Sequence, residues 1–254
     1  MRVSALAIYP LKGAAAVPLE RLELDVMGPR GDRRYCLARP GGRVFTQRDD
    51  PRLARLQALP GGDALLLELD GERLEVGAGD FAEAVQLRVW SREAAARVAR
   101  AAVNATLTRW FSTPLQLGRL ERPVERQGAK LALGDAAALL LTNAASLDAI
   151  NAVLGAPVPM ARFRPNIALD EAPAFDEDNW QRLRVGAAIL APVHACGRCE
   201  VTTIDQTLGA ISGDEPLRTL SRLRLRDGEP VFGVRYAVER PGEIRVGDRA
   251  LAAP

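Results

Sequence analysis

The chain has 254 residues, of which 48% are hydrophobic and 26% charged, and its formal net charge is +2. This composition fits one large or two smaller globular domains, and no apolar run approaches membrane-spanning length, so we expect no membrane association. Nearly all basic residues are arginines, and no lysine-rich run or aromatic-studded basic stripe indicates nucleic-acid binding. Three cysteines, an odd number, form no disulfide framework, which favours a reducing, cytoplasmic location.

The first third of the chain has the pattern of strands and turns. The apolar residues 3–9 predict a buried strand that stops at Pro10, which has no N–H to donate. Pro10 and Lys12 interrupt the apolar start, which favours a first strand over a signal peptide. Further short strands are predicted at residues 19–26, 34–39, 44–46, 65–69, 73–76 and 85–90.

A helix is predicted after these strands. Ser91 is a suitable N-cap, and Pro114 would stop the helix after Phe111. The buried face of this helix is predicted to carry Val103, Leu107, Trp110 and Phe111. Later elements are predicted as strands at 115–120 and 137–141, a polar link at 119–130, and helices at 143–153 and 215–224 among further strands.

The segment from His194 to Asp205 contains two of the three cysteines and the single histidine. Zinc could be held by His194 and the two cysteines, with Cys36 as a fourth ligand, although no second C-x-x-C is present. A redox pair would need a helix N-terminus at the cysteines, whereas Cys199 is followed by β-branched residues that predict a strand. The third possibility is one thiolate that binds a soft, redox-active metal.

If that metal came within an anionic organic cofactor, the chain should supply cationic donors for the anion. Candidates from the residues alone are Lys12, Arg33, Arg48 and Arg164, the last with Asn166 nearby. Each by itself is better explained as a solvated surface charge. Spacing does not show whether they converge.

Two groups of motifs resemble a known family. The C-terminal group is Arg162-Phe163-Arg164-Pro165-Asn166-Ile167, Trp180, Leu183 to Gly186, and Cys196-Gly197-Arg198-Cys199 through Thr202-Thr203-Ile204-Asp205, which resembles the MOSC domain. The N-terminal group is Ile8-Tyr9-Pro10-Leu11-Lys12-Gly13, Gly28, Asp32-Arg33 and Arg48 to Pro51, which resembles the β-barrel domain that precedes MOSC. The resemblance implies an α+β, β-rich fold: a β-barrel-like domain at 1–118, then a MOSC β-barrel domain with a few helices at 119–254.

By these motifs the chain is similar to stand-alone MOSC proteins of the amidoxime reducing component type. The resemblance implies that Cys199 is the molybdenum ligand, and Asp205 matches the aspartate of the family's Thr-Thr-x-Asp motif. Because the release of water needs protons, we expect Asp205 to be a second catalytic residue that relays them. The resemblance also implies molybdenum-cofactor binding by Lys12, Gly13, Arg33, Arg48, Asp135, Arg164, Asn166 and Arg198. The chain departs from these relatives at Gly13, where serine is frequent, and at Asp135-Ala136-Ala137, where they have Asp-Thr-Ser.

The function implied by the resemblance is the reduction of small N-hydroxylated substrates, such as amidoximes, hydroxylamines and N-hydroxylated bases. Electrons would come from a separate protein, a ferredoxin or a cytochrome b5-like protein with its reductase. One alternative is a sulfur-carrying module with a persulfide on Cys199, without reductase activity. Another is a family member that binds no cofactor.

Overall fold

The computed structural model describes residues 1–89, 92–126, 129–133 and 137–253. Within them the chain is rich in strands and has three α-helices, which confirms the expected α+β, β-rich class. The strands of the first half are β1 (Arg2–Ile8), β2 (Val17–Leu19), β3 (Arg21–Asp25), β4 (Gly28–Pro29), β5 (Tyr35–Ala38), β6 (Val44–Phe45), β7 (Gln57–Gly61), β8 (Ala64–Leu69), β9 (Glu72–Gly77), β10 (Phe81–Val89), β11 (Arg92–Ala99) and β12 (Gln116–Leu120).

The strands of the second half are β13 (Val124–Arg126), β14 (Ala129–Leu131), β15 (Leu139–Asn143), β16 (Ile167–Asp170), β17 (Arg182–Val185), β18 (Ala188–Gly197), β19 (Ile204–Asp205), β20 (Ala210–Ile211), β21 (Leu225–Arg226), β22 (Glu229–Arg240), β23 (Gly242–Arg245) and β24 (Ala250–Ala253). The helices are α1 (Ala101–Phe111), α2 (Ala144–Asn151) and α3 (Leu217–Leu223). Within the segment predicted as a polar link, residues 119–130, the chain forms strand β13 and begins strand β14, which pair with each other.

The largest sheet combines the beginning of the chain with its second half. Its strand order is β2-β1-β16-β15-β22-β18-β17-β24, with β21 paired to β22, and only β15 and β16 run parallel among these pairs. Its core includes Leu141, Ile167, Leu183 and Tyr236, all fully buried. Strand β1, from the beginning of the chain, lies inside this sheet, so the sheet contains strands from both predicted domains. The domain boundary between residues 118 and 119 stays a prediction.

A second core lies within the first half of the chain. The five-stranded sheet β10-β11-β12-β5-β6 and the three-stranded sheet β7-β8-β9 surround helix α1. The face of α1 predicted to be buried, which carries Val103, Leu107, Trp110 and Phe111, is buried. Phe111 meets Phe45 edge to face, with ring centroids 5.6 Å apart. This packing confirms the second half of the predicted helix.

The prediction was wrong for the first half of this helix. Residues 92–99 form strand β11, which pairs with β10 on one side and β12 on the other. The alanines there favour a helix by propensity, but burial alternates along the strand, with Ala94, Ala96 and Val98 inside. Pairing on both edges outweighs the intrinsic preference. The helix begins after Arg100, and the proposed N-cap Ser91 lies outside the described residues.

Strand pairing brings distant parts of the sequence together. Strand β1 runs antiparallel to β16, with Leu6 opposite Ile167, so the residues after β1 lie beside those before β16. Strand β15 runs parallel to β16, and the Asn166 N–H donates to the Leu140 carbonyl over 2.8 Å. The turn after β1 and the segment before β16 therefore meet at one place.

A buried carboxyl group stabilises the region around α2. Glu177 is 1% exposed, and its Oε2 accepts hydrogen bonds from Ser146 Oγ at 2.8 Å and Asn143 Nδ2 at 3.2 Å. Asn143 also caps α2 by accepting from the Ala145 N–H. Burial raises the pKa of Glu177, and these hydrogen bonds only partly oppose it. The ionised form is therefore disfavoured in the folded chain.

We expect Glu177→Gln to change the pH dependence of stability. The raised pKa means that Glu177 contributes stability below its unfolded pKa of about 4.3, and that this contribution is lost as pH rises through the folded pKa. A glutamine oxygen still accepts both hydrogen bonds and cannot ionise. The free energy of unfolding of the variant minus that of the wild type should therefore increase from pH 4 to pH 8, measured by urea denaturation.

Glu177→Ala is the matched control, because it leaves the Ser146 and Asn143 donors without their acceptor and should destabilise by about 1–3 kcal/mol. A pH-independent difference between the glutamine variant and the wild type would contradict the raised pKa.

Candidate functional site

Most of the residues predicted to form the site line one cavity of about 480 Å³. The predicted residues among its lining are Lys12, Gly13, Arg33, Arg48, Arg164, Asn166, Arg198 and Cys199. Arg235 adds another cation, and Glu229 is the one carboxylate among the described lining residues. Asp205 is not part of the lining, and Asp135 lies outside the described residues.

The turn that carries Lys12 is fixed by backbone hydrogen bonds to the segment around Arg33. The Arg33 N–H donates to the Tyr9 carbonyl and the Lys12 N–H to the Tyr35 carbonyl, both over 2.8 Å. Gly13 follows with φ +86°, and a Cβ at this position would lie 2.7 Å from Leu53 Cδ2. This backbone conformation and the close approach of Leu53 favour glycine at residue 13.

Asp32 joins the turn to the large sheet. Its buried Oδ1 accepts hydrogen bonds from the Tyr9 N–H at 2.7 Å and from Asn166 Nδ2 at 3.1 Å, and its other oxygen pairs with Arg33. Asn166, which is 1% exposed, accepts at Oδ1 from the Leu140 N–H at 3.2 Å and from Arg33 Nη1 at 3.3 Å. Asn166 thus orients Arg33 and connects three chain segments.

The ring of Tyr9 is a platform for two of the cavity's guanidinium groups. The Cζ atom of Arg33 lies 4.8 Å, and that of Arg164 4.3 Å, from the ring centroid, within cation–π range. Burial raises the pKa of Tyr9 despite the opposing effect of Arg164 and Arg33. Its neutral hydroxyl donates to the Pro165 carbonyl over 3.1 Å. The ring therefore helps to position both arginines.

A pair of glutamines fixes Arg164, and sequence reasoning missed both. Gln47 and Gln206 exchange two hydrogen bonds of 3.0 Å between their side-chain amides. Gln206 Oε1 also accepts from Arg164 Nη1 at 3.0 Å, and Arg164 Nη2 donates to the Ala14 carbonyl at 2.7 Å. Gln47 Nε2 donates further to the Gly13 carbonyl at 2.7 Å. An isolated glutamine has no pattern in a single sequence that would reveal such a contact.

The backbone after Cys199 differs from the predicted strand. Residues Glu200–Thr203 form a short 3-10 helix with Cys199 at its N-cap, and only Ile204 and Asp205 are extended. Thr202 Oγ1 donates to the Cys199 carbonyl at 2.9 Å, and Thr203 Oγ1 donates to the Glu200 carbonyl at 2.8 Å. Threonine hydroxyls can bond carbonyls three residues back in a helical turn, which offsets their strand preference.

Arg48 contacts the cavity thiol directly. Its Nη2 donates to Cys199 Sγ over 2.9 Å, and its Nε donates to Glu200 Oε1 over 2.6 Å. The carboxylate of Glu200 thereby orients the guanidinium toward the sulfur.

The other two cysteines have different surroundings. Cys196 is buried and accepts a hydrogen bond from Arg198 Nη1 at 2.8 Å, while Arg198 Nη2 donates to the Phe163 carbonyl at 2.6 Å. Cys36 lies in β5, where burial raises the pKa of its thiol to about 12. No group of three or more His, Cys, Asp or Glu side chains in the described part of the chain is arranged to hold a metal ion. The geometry therefore does not support the zinc alternative with Cys36 and His194.

Asp205 forms a turn beside the cavity. Its Oδ1 accepts from the Thr207 and Leu208 N–H groups, each at 2.9 Å, and its Oδ2 pairs with the buried Arg162 at 3.3 Å. The Leu208 N–H, with the Thr207 N–H and Arg162, holds the pKa of Asp205 below its usual value. These contacts position the neighbouring Gln206. The expected role of Asp205 as a proton relay stays a prediction.

Comparison with known proteins shows which family the chain belongs to. Residues 128–250 match the model of the MOSC domain, and residues 1–116 match that of the MOSC N-terminal beta barrel domain. Mitochondrial amidoxime-reducing component 1 of Xenopus laevis is 33% identical over 275 residues, which cover 97% of this chain and 80% of the relative. Mitochondrial amidoxime reducing component 2 of Homo sapiens is 31% identical over 274 residues, covering 97% and 82%.

Among solved structures, the YUAD protein from Bacillus subtilis matches with a TM-score of 0.46 at 13% identity, covering 98% of this chain and 93% of that one. The chain belongs to the family of proteins in which a MOSC domain follows a MOSC N-terminal β-barrel domain. In the described residues, no helix is both long and apolar enough to cross a bilayer.

We expect the glutamine pair to be energetically coupled. Gln47→Ala and Gln206→Ala each remove both hydrogen bonds of the pair, so the double variant should lose less stability than the sum of the single variants. A coupling energy of about 0.5–1.5 kcal/mol is expected from a double-mutant cycle measured by urea unfolding. The matched control is the cycle of Gln206→Ala with Gln86→Ala, since Gln86 lies in strand β10 away from this contact. Equal coupling in both cycles would contradict the bridge.

Proposed function

We propose that this protein is a molybdenum-cofactor-dependent oxidoreductase that reduces N-hydroxylated compounds. The observation that carries the proposal is the convergence of one cavity-facing thiol, Cys199, with six cationic side chains around a single cavity. The amidoxime-reducing relatives, about a third identical over nearly the whole chain, support the same reaction class.

The residues of the cavity fit an anionic cofactor that also needs a sulfur ligand. The cations that could neutralise a phosphate and a dithiolene are Lys12, Arg33, Arg48, Arg164, Arg198 and Arg235. Guanidinium groups bind phosphate oxygens in pairs, and a thiolate is a suitable ligand for a soft, redox-active metal. A cavity of about 480 Å³ lies within the range of ordinary cofactor sites.

Each group of residues has a distinct task in this proposal. The bound molybdenum cofactor would supply the two-electron redox chemistry, as cofactors do in most redox enzymes. Cys199 would hold the metal, and Arg48 would orient the sulfur through the contact at 2.9 Å. Lys12, Arg33 and Arg164 would bind the anionic end of the cofactor at the Tyr9 wall. Gln47, Gln206 and Asn166 would orient those cations, which lowers the cost of ordering them on binding.

The proposed reaction cleaves an N–O bond. An amidoxime takes up two electrons and two protons, and the products are an amidine and one water molecule. The electrons would come from a separate electron-transfer protein, a ferredoxin or a cytochrome b5-like protein with its reductase. Small amidoximes, hydroxylamines and N-hydroxylated bases form the proposed substrate class.

We expect Cys199→Ser to abolish the reductase activity and to release or destabilise the bound molybdenum. Serine removes the soft sulfur ligand with little change in volume, so activity toward benzamidoxime should fall to below about 1% of the wild type. Metal and pterin content per chain, measured on protein from a cofactor-competent host, gives the second readout. Cys36→Ala is the matched control, because Cys36 is buried in β5, and it should retain both cofactor and activity.

Stoichiometric molybdenum and full activity in Cys199→Ser would contradict the assigned ligand. A mass increase of one sulfur atom on wild-type Cys199, without molybdenum, would instead favour the sulfur-carrying function.

A further inference from the structure

The single described carboxylate in the cavity lining, Glu229, has no role in holding an anionic cofactor. It stands at the start of strand β22 and faces a cavity that is otherwise lined by cations. Repulsion between its charge and a phosphate or dithiolene would oppose cofactor binding at close range. A carboxylate in such a place needs a different explanation.

The backbone of strand β18 makes room for this side chain. A Cβ atom on Gly197 would collide with Glu229 Oε2, so the carboxylate lies directly over the glycine. Gly197 is paired with Val231 in the sheet, and the Arg198 N–H donates to the Pro230 carbonyl over 2.7 Å. The absence of a side chain at residue 197 thus allows the carboxylate to reach the cavity.

The cation nearest to Glu229 along its own hairpin is directed elsewhere. Arg226 is the cross-strand partner of Glu229, but its Nη2 donates to Asp178 Oδ2 over 2.7 Å. Across the described residues, no Lys or Arg nitrogen lies within 4.0 Å of the Glu229 carboxylate. Glu200, by contrast, is paired with Arg48. Among the described residues, the Glu229 carboxylate therefore has no Lys or Arg partner at the cavity wall.

The carboxylate and the candidate metal ligand line the same cavity. Gly197 precedes Cys199 by two residues, and a chain spans at most about 3.6 Å per residue, so their Cα atoms are no more than about 7 Å apart. A small molecule bound in the cavity could therefore contact both Cys199 and the Glu229 carboxylate.

We propose that Glu229 is a specificity-determining residue that binds the cationic amidine or guanidine group formed from the substrate. This inference rests on the proposed reductase function. Amidines and guanidines are strong bases that carry a positive charge at neutral pH, and their paired N–H groups match the two oxygens of a carboxylate. Compounds whose reduced product is neutral gain nothing from Glu229. Because this charge develops as the N–O bond breaks and the group is protonated, its stabilisation by Glu229 favours the reduction of amidoximes and N-hydroxyguanidines over that of N-hydroxylated compounds with neutral products.

The test measures binding of a charged product and its neutral analogue to the cofactor-loaded protein. Benzamidine is the cationic probe, and benzamide, which has nearly the same shape, is the neutral one. Calorimetric titration of both is done on the wild type and on Glu229→Gln, which removes the charge alone. We expect benzamidine affinity to fall roughly threefold to tenfold in the variant, with benzamide affinity unchanged.

A second variant moves the Glu229 carboxylate out of the site but leaves Glu229 itself unchanged. In Gly197→Ala the new Cβ displaces the Glu229 side chain, and the same selective loss of benzamidine affinity is expected. Glu239→Gln is the matched control, because Glu239 lies on the same strand and pairs with Arg182 outside the cavity. Its benzamidine affinity should equal that of the wild type.

Unchanged benzamidine affinity in Glu229→Gln, or an equal loss for benzamidine and benzamide, would overturn the assignment. Turnover of benzamidoxime is measured separately on the same preparations. Selective, Glu229-dependent benzamidine binding without any turnover would support the binding role of the carboxylate and overturn the reductase proposal instead.

Discussion

The buried carboxylate of Asp32 is the contact on which the arrangement of the cavity depends. A charge that is only 3% exposed is tolerated when hydrogen bonds and an opposite charge satisfy it. Asp32 obtains them from the Tyr9 N–H, from Asn166 and from Arg33, which belong to three separate chain segments. Losing any one would leave a buried anion undersatisfied, so these segments are held together. The positions of the Lys12 turn and of the segment before β16 follow from that requirement.

The cavity itself concentrates positive charge, and repulsion among its cations opposes folding. The structure limits this by giving the guanidinium groups fixed acceptors within the protein. These are the Ala14 carbonyl and Gln206 for Arg164, the Phe163 carbonyl for Arg198, and Glu200 for Arg48. Because the cations are already oriented, an arriving anion has little side-chain entropy to remove. The same fixed geometry would therefore favour an anionic occupant of the cavity.

The sequence alone predicted the elements whose burial pattern is strong, and it failed where other forces compete. The strand before Pro10 and the buried face of α1 follow from local periodicity. Residues 92–99 form a strand because they are paired on both edges, and the helical turn after Cys199 is stabilised by threonine hydroxyls. Hydrophobic periodicity indicates neither effect. Convergence of Lys12 with Asn166 depends on the pairing of β1 with β16, so motif order within a family was needed to anticipate it. Glu229 and the two glutamines, Gln47 and Gln206, belong to no sequence motif that would have predicted their place in the site.

The position of β1 has a consequence for synthesis on the ribosome. Its neighbour β16 begins at Ile167, and β3 pairs with β23, which begins at Gly242. Each of these early strands can pair with an early neighbour on one side, β2 for β1 and β4 for β3, but its other edge stays unpaired until most or nearly all of the chain has been made. Such sequence-distant pairing slows folding and exposes strand edges to other chains in the meantime. The arrangement that closes the cavity therefore makes the nascent chain dependent on late folding, and on protection from aggregation until its last strands emerge.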